Sequence, residues 1–256
     1  MEFILVAEGP SDVDISKDLV DRVLHAEPPD WLRMGELEGM RTWSGLQPDE
    51  EYTRWRNVGD LYDEMPRMPD YLGHERGGQS NNYDYAAARR VMLITDRLAR
   101  NGDRPIRAVV LIRDTDTQKE ERTQSLENAR GDHDTDDYKV VIGIACPKIE
   151  AWILNGFEPQ TDDESEHLQE ERQRLPVDPL TEAHELTASS DDAQNNCKRV
   201  ANGLTNGEEE RKRACWKDTD LSLLRERGTH TGLSDFLDDV NRLIPIFTDN
   251  PPPQAP

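Results

Sequence analysis

The chain has 256 residues and a formal net charge of -22 at pH 7. That length suits a single large core or one domain with an appended part, and the charge excludes tight, unaided binding of a polyanion unless cations or a local basic face intervene. Its three cysteines, Cys146, Cys197 and Cys215, are too widely spaced for a zinc motif or a disulfide framework and fit a reducing, cytoplasmic setting. Hydrophobic residues make up only 34% of the chain, so polar loops around a compact core are expected. The apolar run Phe3 to Ala7 is too short for a signal peptide, and nothing approaches the roughly 20 apolar residues of a membrane span.

The first element is the run FILVA, a short Ile- and Val-bearing stretch that suits a buried strand. Gly9 and Pro10 turn the chain, and Ser11 or Asp12 can cap a helix whose Val13, Leu19, Val20, Val23 and Leu24 share one face. Residues 26 to 82 are broken by prolines and lack periodicity, and read as an irregular insertion with one or two short helices. A helix is expected over Tyr83 to Arg100, stopped by the turn Asn101-Gly102-Asp103. A second buried strand, Ile106 to Ile112, runs into Arg113-Asp114-Thr115-Asp116, and a polar helix follows from Lys119 to Arg130. Lys139 to Ala145 is a third strand, and Pro147 opens a short helix carrying Lys148, Glu150 and Trp152. Alternating strands and helices argue for an α/β fold, a mostly parallel sheet flanked by helices over residues 1–157. Residues 158–247 read as a helical region packed on it, with an acidic loop or solvated helix at 158–175 and a polar helix from about Asp191. Residues 248–256, ending in PPPQAP, read as a disordered tail.

Carboxylates recur where apolar strands end. Glu8 follows the first strand, Asp114 and Asp116 follow the second, and Glu150 opens the helix after the third. In an open parallel sheet the ligand crevice lies outside those strand ends, so adjacent strands would gather these acids. Asp12, one helical turn past Glu8, can face the same crevice. Like charges so grouped are costly without a cation. Oxygen-only donors suit Mg²⁺ or Mn²⁺, and a two-metal site can stabilise both oxygens of an in-line phosphoryl displacement.

Glu8-Gly9 after one strand and Asp114-Thr115-Asp116 after a later one resemble the Toprim family. The spacing EGPSD, with Asp12 four residues after Glu8, looks most like the Toprim nuclease domains of the OLD (overcoming-lysogenization-defect) family and related phage-defence proteins. The resemblance covers about residues 2 to 155. It implies a Toprim-like fold and a nuclease cleaving phosphodiester bonds of DNA or RNA with one or two Mg²⁺ or Mn²⁺ ions. It implies Glu8, Asp12, Asp114, Asp116 and Glu150 as metal ligands, with Glu8, Asp114, Asp116, Glu150 and Lys148 as catalytic residues. Arg113, beside Asp114, would reach a substrate phosphate. No G-x-x-x-x-G-K-[ST] motif is present, so an ATPase of the kind OLD proteins carry would be a separate partner in an antiviral defence complex. Self-association is compatible with this reading.

Two alternatives stay open. The run VVLIRDTDT also fits a haloacid-dehalogenase-like phosphatase with Asp114 as nucleophile, a reading that needs no Glu8. A non-catalytic, metal-binding regulatory subunit of a defence complex would show metal binding without turnover. The basic run from Arg89 to Arg107 reads more simply as a solvated face than as a phosphate-binding one, with Arg113 the exception beside Asp114. Trp216, among Lys198, Arg199, Arg211, Lys212, Arg213 and Lys217, reads more simply as a packing residue than as a base-stacking one. His133, in the run GDHDTDD, falls in an expected mobile acidic loop.

Overall fold

The computed structural model describes residues 1–26, 39–69, 83–100, 104–116, 118–133 and 135–248. At its centre lies a five-stranded parallel sheet. The strands are β1 (Glu2–Ala7), β2 (Thr42–Ser44), β3 (Thr53–Arg54), β4 (Ile106–Asp114) and β5 (Lys139–Ala145). β1 and β4 are neighbours, β5 lies beyond β4, and β2 and β3 both pair with the other edge of β1. The chain therefore leaves β1 in one direction and returns past it to build β4 and β5. Strand order reverses between β1 and β4, which is where open parallel sheets place ligands.

The sheet is buried on both faces, and side-chain alternation sorts its residues cleanly. Phe3, Leu5 and Ala7 of β1 share a face with Ala108, Val110 and Ile112 of β4, covered by α1 (Pro10–Ala26). Ile4 and Val6 share the other face with Val109 and Leu111, covered by α3 (Tyr83–Arg100) and α4 (Lys119–Gly131), with α2 (Val58–Glu64) packed beside α3. Burial on both sides explains why these strands read as continuous apolar runs. Each such Val, Leu or Ile removed from water contributes about 1.5–3 kcal/mol.

The C-terminal region comprises α5 (Glu150–Asn155), α6 (Asp162–Arg174), α7 (Cys197–Leu204), α8 (Glu209–Lys217), α9 (Leu221–Arg227), α10 (Leu233–Asp239) and α11 (Ile244–Thr248). It belongs to the same apolar cluster as α1 and the adjoining sheet face. Trp152 stacks on Phe236 at 5.0 Å between ring centroids. Trp216 is buried, and its Nε1 donates to Asp18 of α1 at 2.8 Å, the packing role expected of it. Arg22 of α1 donates to the carbonyls of Trp216 and Thr219. No described helix is long and apolar enough to cross a membrane.

The α/β class and the parallel sheet are as the sequence predicts; the departures are local. The region 26–82 contributes β2, β3 and α2 to the core, and its Trp55 is buried and donates Nε1–H to the carbonyl of Ile112 at 2.6 Å. Strands of three and two residues are too short to carry a periodic signal. The helix expected from Asp191 begins at Cys197, where the Asn196 side chain accepts the Arg199 N–H at 2.9 Å as an N-cap. Of the acidic loop or solvated helix expected at 158–175, the structure has the helix, α6, capped by Thr161. His133 is not in a loose loop: its ring lies 2.7 Å from the Tyr138 hydroxyl and 3.3 Å from Asp96. The turn at 101–103 and residues 249–256 of the tail lie outside the described residues.

Candidate functional site

The register between β1 and β4 dictates what meets at the sheet's carboxyl edge. Ile4 pairs with Val109 and Val6 with Leu111, so the next pair on that face is Glu8 with Arg113. Asp114 points to the opposite face, toward α1 and α5. Parity along two strands thus divides the predicted acids into two groups across the end of the sheet.

On the α1 face, Asp114 is half-buried. Its Oδ1 accepts the Ile149 N–H at 2.9 Å. Burial pushes its carboxyl up to about 9, and the charges of Asp12, Glu8 and Glu150 push in the same direction. Asp12 is buried in the first turn of α1, where its Oδ2 accepts the backbone N–H groups of Glu8 at 2.9 Å and Gly9 at 3.0 Å. That is a helix-capping role, in which an acid of the first turn reaches back to the cap. Burial raises Asp12 to about 6 against those two bonds, and Glu8 and Glu150 add to the rise. Glu150 opens α5 and is half-buried. The start of α5 is tied to Asp114 through the backbone. The N–H groups of Thr115 and Asp116 donate to the carbonyl of Pro147 at 3.1 and 2.8 Å, and Thr115 N–H also reaches the Ala145 carbonyl at 2.9 Å. Lys148 and Cys146 lie at the same corner. The buried Cys197 thiol is raised by burial and by the charges of Glu150 and Asp114, while Lys148 opposes that shift.

On the other face, Glu8 is exposed and forms an ion pair with Arg113 at 3.0 Å. Arg113 also reaches Asp84 of α3 at 2.9 Å. Asp84 is buried and lies 3.4 Å from Arg122 of α4, whose other arm sits 3.6 Å from Asp116. Asp116 adopts φ 51, a left-handed conformation that Asp tolerates better than most residues, and its side chain is exposed. Arg122 also donates to the Asp114 carbonyl.

The structure therefore brings Asp12, Glu150 and Glu8 within electrostatic reach of Asp114, and turns Asp116 toward Arg122. Among the described residues, no three His, Cys, Asp or Glu side chains converge closely enough to form a ready-made ligand set. The donor chemistry nonetheless fits a hard divalent cation. All the donors are carboxylate oxygens, and burial, with the charges of Asp12, Glu8 and Glu150, makes ionising Asp114 costly, a cost that a cation would relieve. Sequence reasoning missed Asp84 and Arg122. Each lies on a helix about one turn from a terminus, where a charge carries no distinguishing signal. A pocket of about 340 Å³ opens beside Glu150, lined also by Pro10, Ser11, Lys198, Lys212 and Trp216.

No family model, curated protein or solved structure matches the chain.

Proposed function

We propose that the protein is a metal-dependent nuclease of Toprim type. The observation that carries the reading is that Asp114, its Oδ1 bonded to the Ile149 N–H, lies within electrostatic reach of Asp12, Glu8 and Glu150 at the carboxyl edge between β1 and β4, where strand order reverses. Asp114, Glu8, Asp12 and Glu150 would hold Mg²⁺ or Mn²⁺, with Asp116 as a further ligand once turned from Arg122. The ion would neutralise charge on the phosphodiester as it is cut. The chain's own residues do the rest. Ile149 N–H orients Asp114, the Glu8 and Gly9 amides orient Asp12, and Arg113 and Lys148 supply positive charge for phosphate oxygens. Asp114 alone would serve a phosphatase of the haloacid-dehalogenase kind, but the grouping of Glu8 and Asp12 around it has no part in that chemistry. With 53 acidic against 31 basic residues, the chain would engage nucleic acid through the ion and a few placed cations, or with help from a partner such as a defence ATPase.

The test is cleavage of plasmid, single-stranded DNA and tRNA with Mg²⁺ or Mn²⁺, comparing wild type with Asp114→Ala and Glu8→Ala. Metal-dependent cutting lost in both variants is expected. Cutting that survives Glu8→Ala would sink the Toprim mechanism and favour a role for Asp114 alone.

A further inference from the structure

The two arginines on the far face of the crevice are held in a way that their neighbours' charges alone do not require. Arg113 and Arg122 both lean on one buried acid, Asp84, at 2.9 and 3.4 Å. Their guanidinium groups are mostly buried, with side-chain exposures of 12% and 15%, so each is fixed rather than trailing in solvent. Trp55 backs Arg113, with the guanidinium 5.5 Å from its ring centroid, and the Asp114 carbonyl anchors Arg122. Arg113 Nε is buried and finds no hydrogen-bond acceptor among the described residues. The remaining arms point at Glu8 and Asp116, the two acids that the proposed metal site would draw upon.

Two cations, one shared buried anion and two exchangeable anions make a device with two arrangements. With Glu8 and Asp116 on the arginines, the group carries two positive and three negative charges. With both acids turned to a cation, two positive charges face one negative. The freed guanidinium arms then present fixed donors of the geometry that grips phosphate oxygens in pairs. We propose that Arg113 and Arg122, set side by side by Asp84, form a phosphate clamp for a nucleic-acid strand, and that Glu8 and Asp116 occupy this clamp until a divalent ion takes them. Asp84 is a positioning residue here, since it touches neither ion nor substrate. The inference rests on the nuclease reading and adds to it a substrate-binding element and an order of events: cation first, strand second. Tyr83, the one large apolar side chain exposed among the described residues, lies 6.0 Å from Arg113 and offers an unpaired base a face to stack on beside the clamp.

The proposal makes opposite predictions for two ligands. Mn²⁺ affinity, measured by calorimetry without nucleic acid, should rise in Arg122→Gln and Arg113→Gln, because each removes a competitor for Glu8 or Asp116. Binding of fluorescent single- and double-stranded oligonucleotides in the presence of Ca²⁺ should weaken about tenfold or more in the same variants, the size expected for a charge-assisted hydrogen bond. The slope of log affinity against log salt should shrink by about one for each arginine removed. Arg122→Lys should recover the salt slope but only part of the affinity, because it restores the charge and not the fork. Thermal melts identify any variant that fails to fold, and Arg122→Gln is the less disruptive one because Arg113 packs on Trp55. A wild type that binds Mn²⁺, with oligonucleotide affinity unchanged in a folded Arg122→Gln, would overturn the clamp and leave the metal site standing. Failure of the wild type to bind Mn²⁺ would overturn the metal reading and the clamp with it.

Discussion

Replacing Asp114 with Asn should make the metal-free protein more stable at neutral and alkaline pH. Asp114 is raised from 3.8 to about 9 by burial and by Asp12, Glu8 and Glu150, so the folded chain keeps a proton there that the unfolded chain releases. Stability from this group is fully present below about pH 4 and drains away as pH rises toward 9, at up to about 1.4 kcal/mol per pH unit. Between pH 5 and pH 8 the loss amounts to at most about 4 kcal/mol. Asp114→Asn preserves the acceptor for the Ile149 N–H and removes the titrating proton, so its stability should fall less steeply over the same range. The assay is urea unfolding in EDTA at several pH values, with stability taken from the midpoint and slope. Adding Mg²⁺ or Mn²⁺ at pH 8 should then stabilise wild type and not the variant, closing the gap between them. Parallel stability–pH curves for the two proteins would refute the reasoning, because they would show that Asp114 is not held protonated by its surroundings.

Three further outcomes follow from the fold. Arg104 donates to both carboxylate oxygens of Glu2 and to the carbonyls of Gly45 and Leu46, so Arg104→Ala should leave the half-buried Glu2 with the Ser44 hydroxyl as its remaining side-chain donor and cost about 1–3 kcal/mol in chemical unfolding. Gly232 has φ 80, and a Cβ there would lie 1.9 Å from the Ile144 carbonyl oxygen. Gly232→Ala should therefore lower the melting temperature by several degrees, a cost of more than about 1 kcal/mol. Cys197 and Cys215 are buried, with thiols raised by that burial, Cys215 to about 11; a thiol reagent at pH 8 should label Cys146 first, and equal labelling of all the cysteines in the folded protein would contradict the packing.

The site was legible in the sequence where apolar runs stop at acids. FILVA followed by Glu8 and AVVLI leading to Asp114 each mark a strand that runs out of the core at an acid, and both strands lie where that pattern puts them. The pairing of β1 with β4 across 100 residues was not legible, because strand order is set by packing rather than by any local preference. Once β1 and β4 are paired in register, counting by twos from Ile4 and from Val109 puts Glu8 with Arg113, and Asp114 on the opposite face. The register, rather than either strand alone, divides the acids into two groups. β2 and β3 stayed hidden because so few residues pair that the sheet, not the segment, defines them. Asp84 and Arg122 gain their meaning only from the contact between α3 and α4, which no spacing in the chain announces.

The most direct test of the metal centre is Mn²⁺ binding to the whole chain, followed by electron paramagnetic resonance at pH 7.5, for wild type and Asp114→Asn. The account predicts saturable Mn²⁺ binding by wild type that is lost in the variant. Binding of equal strength in both proteins, or none in either, would contradict it.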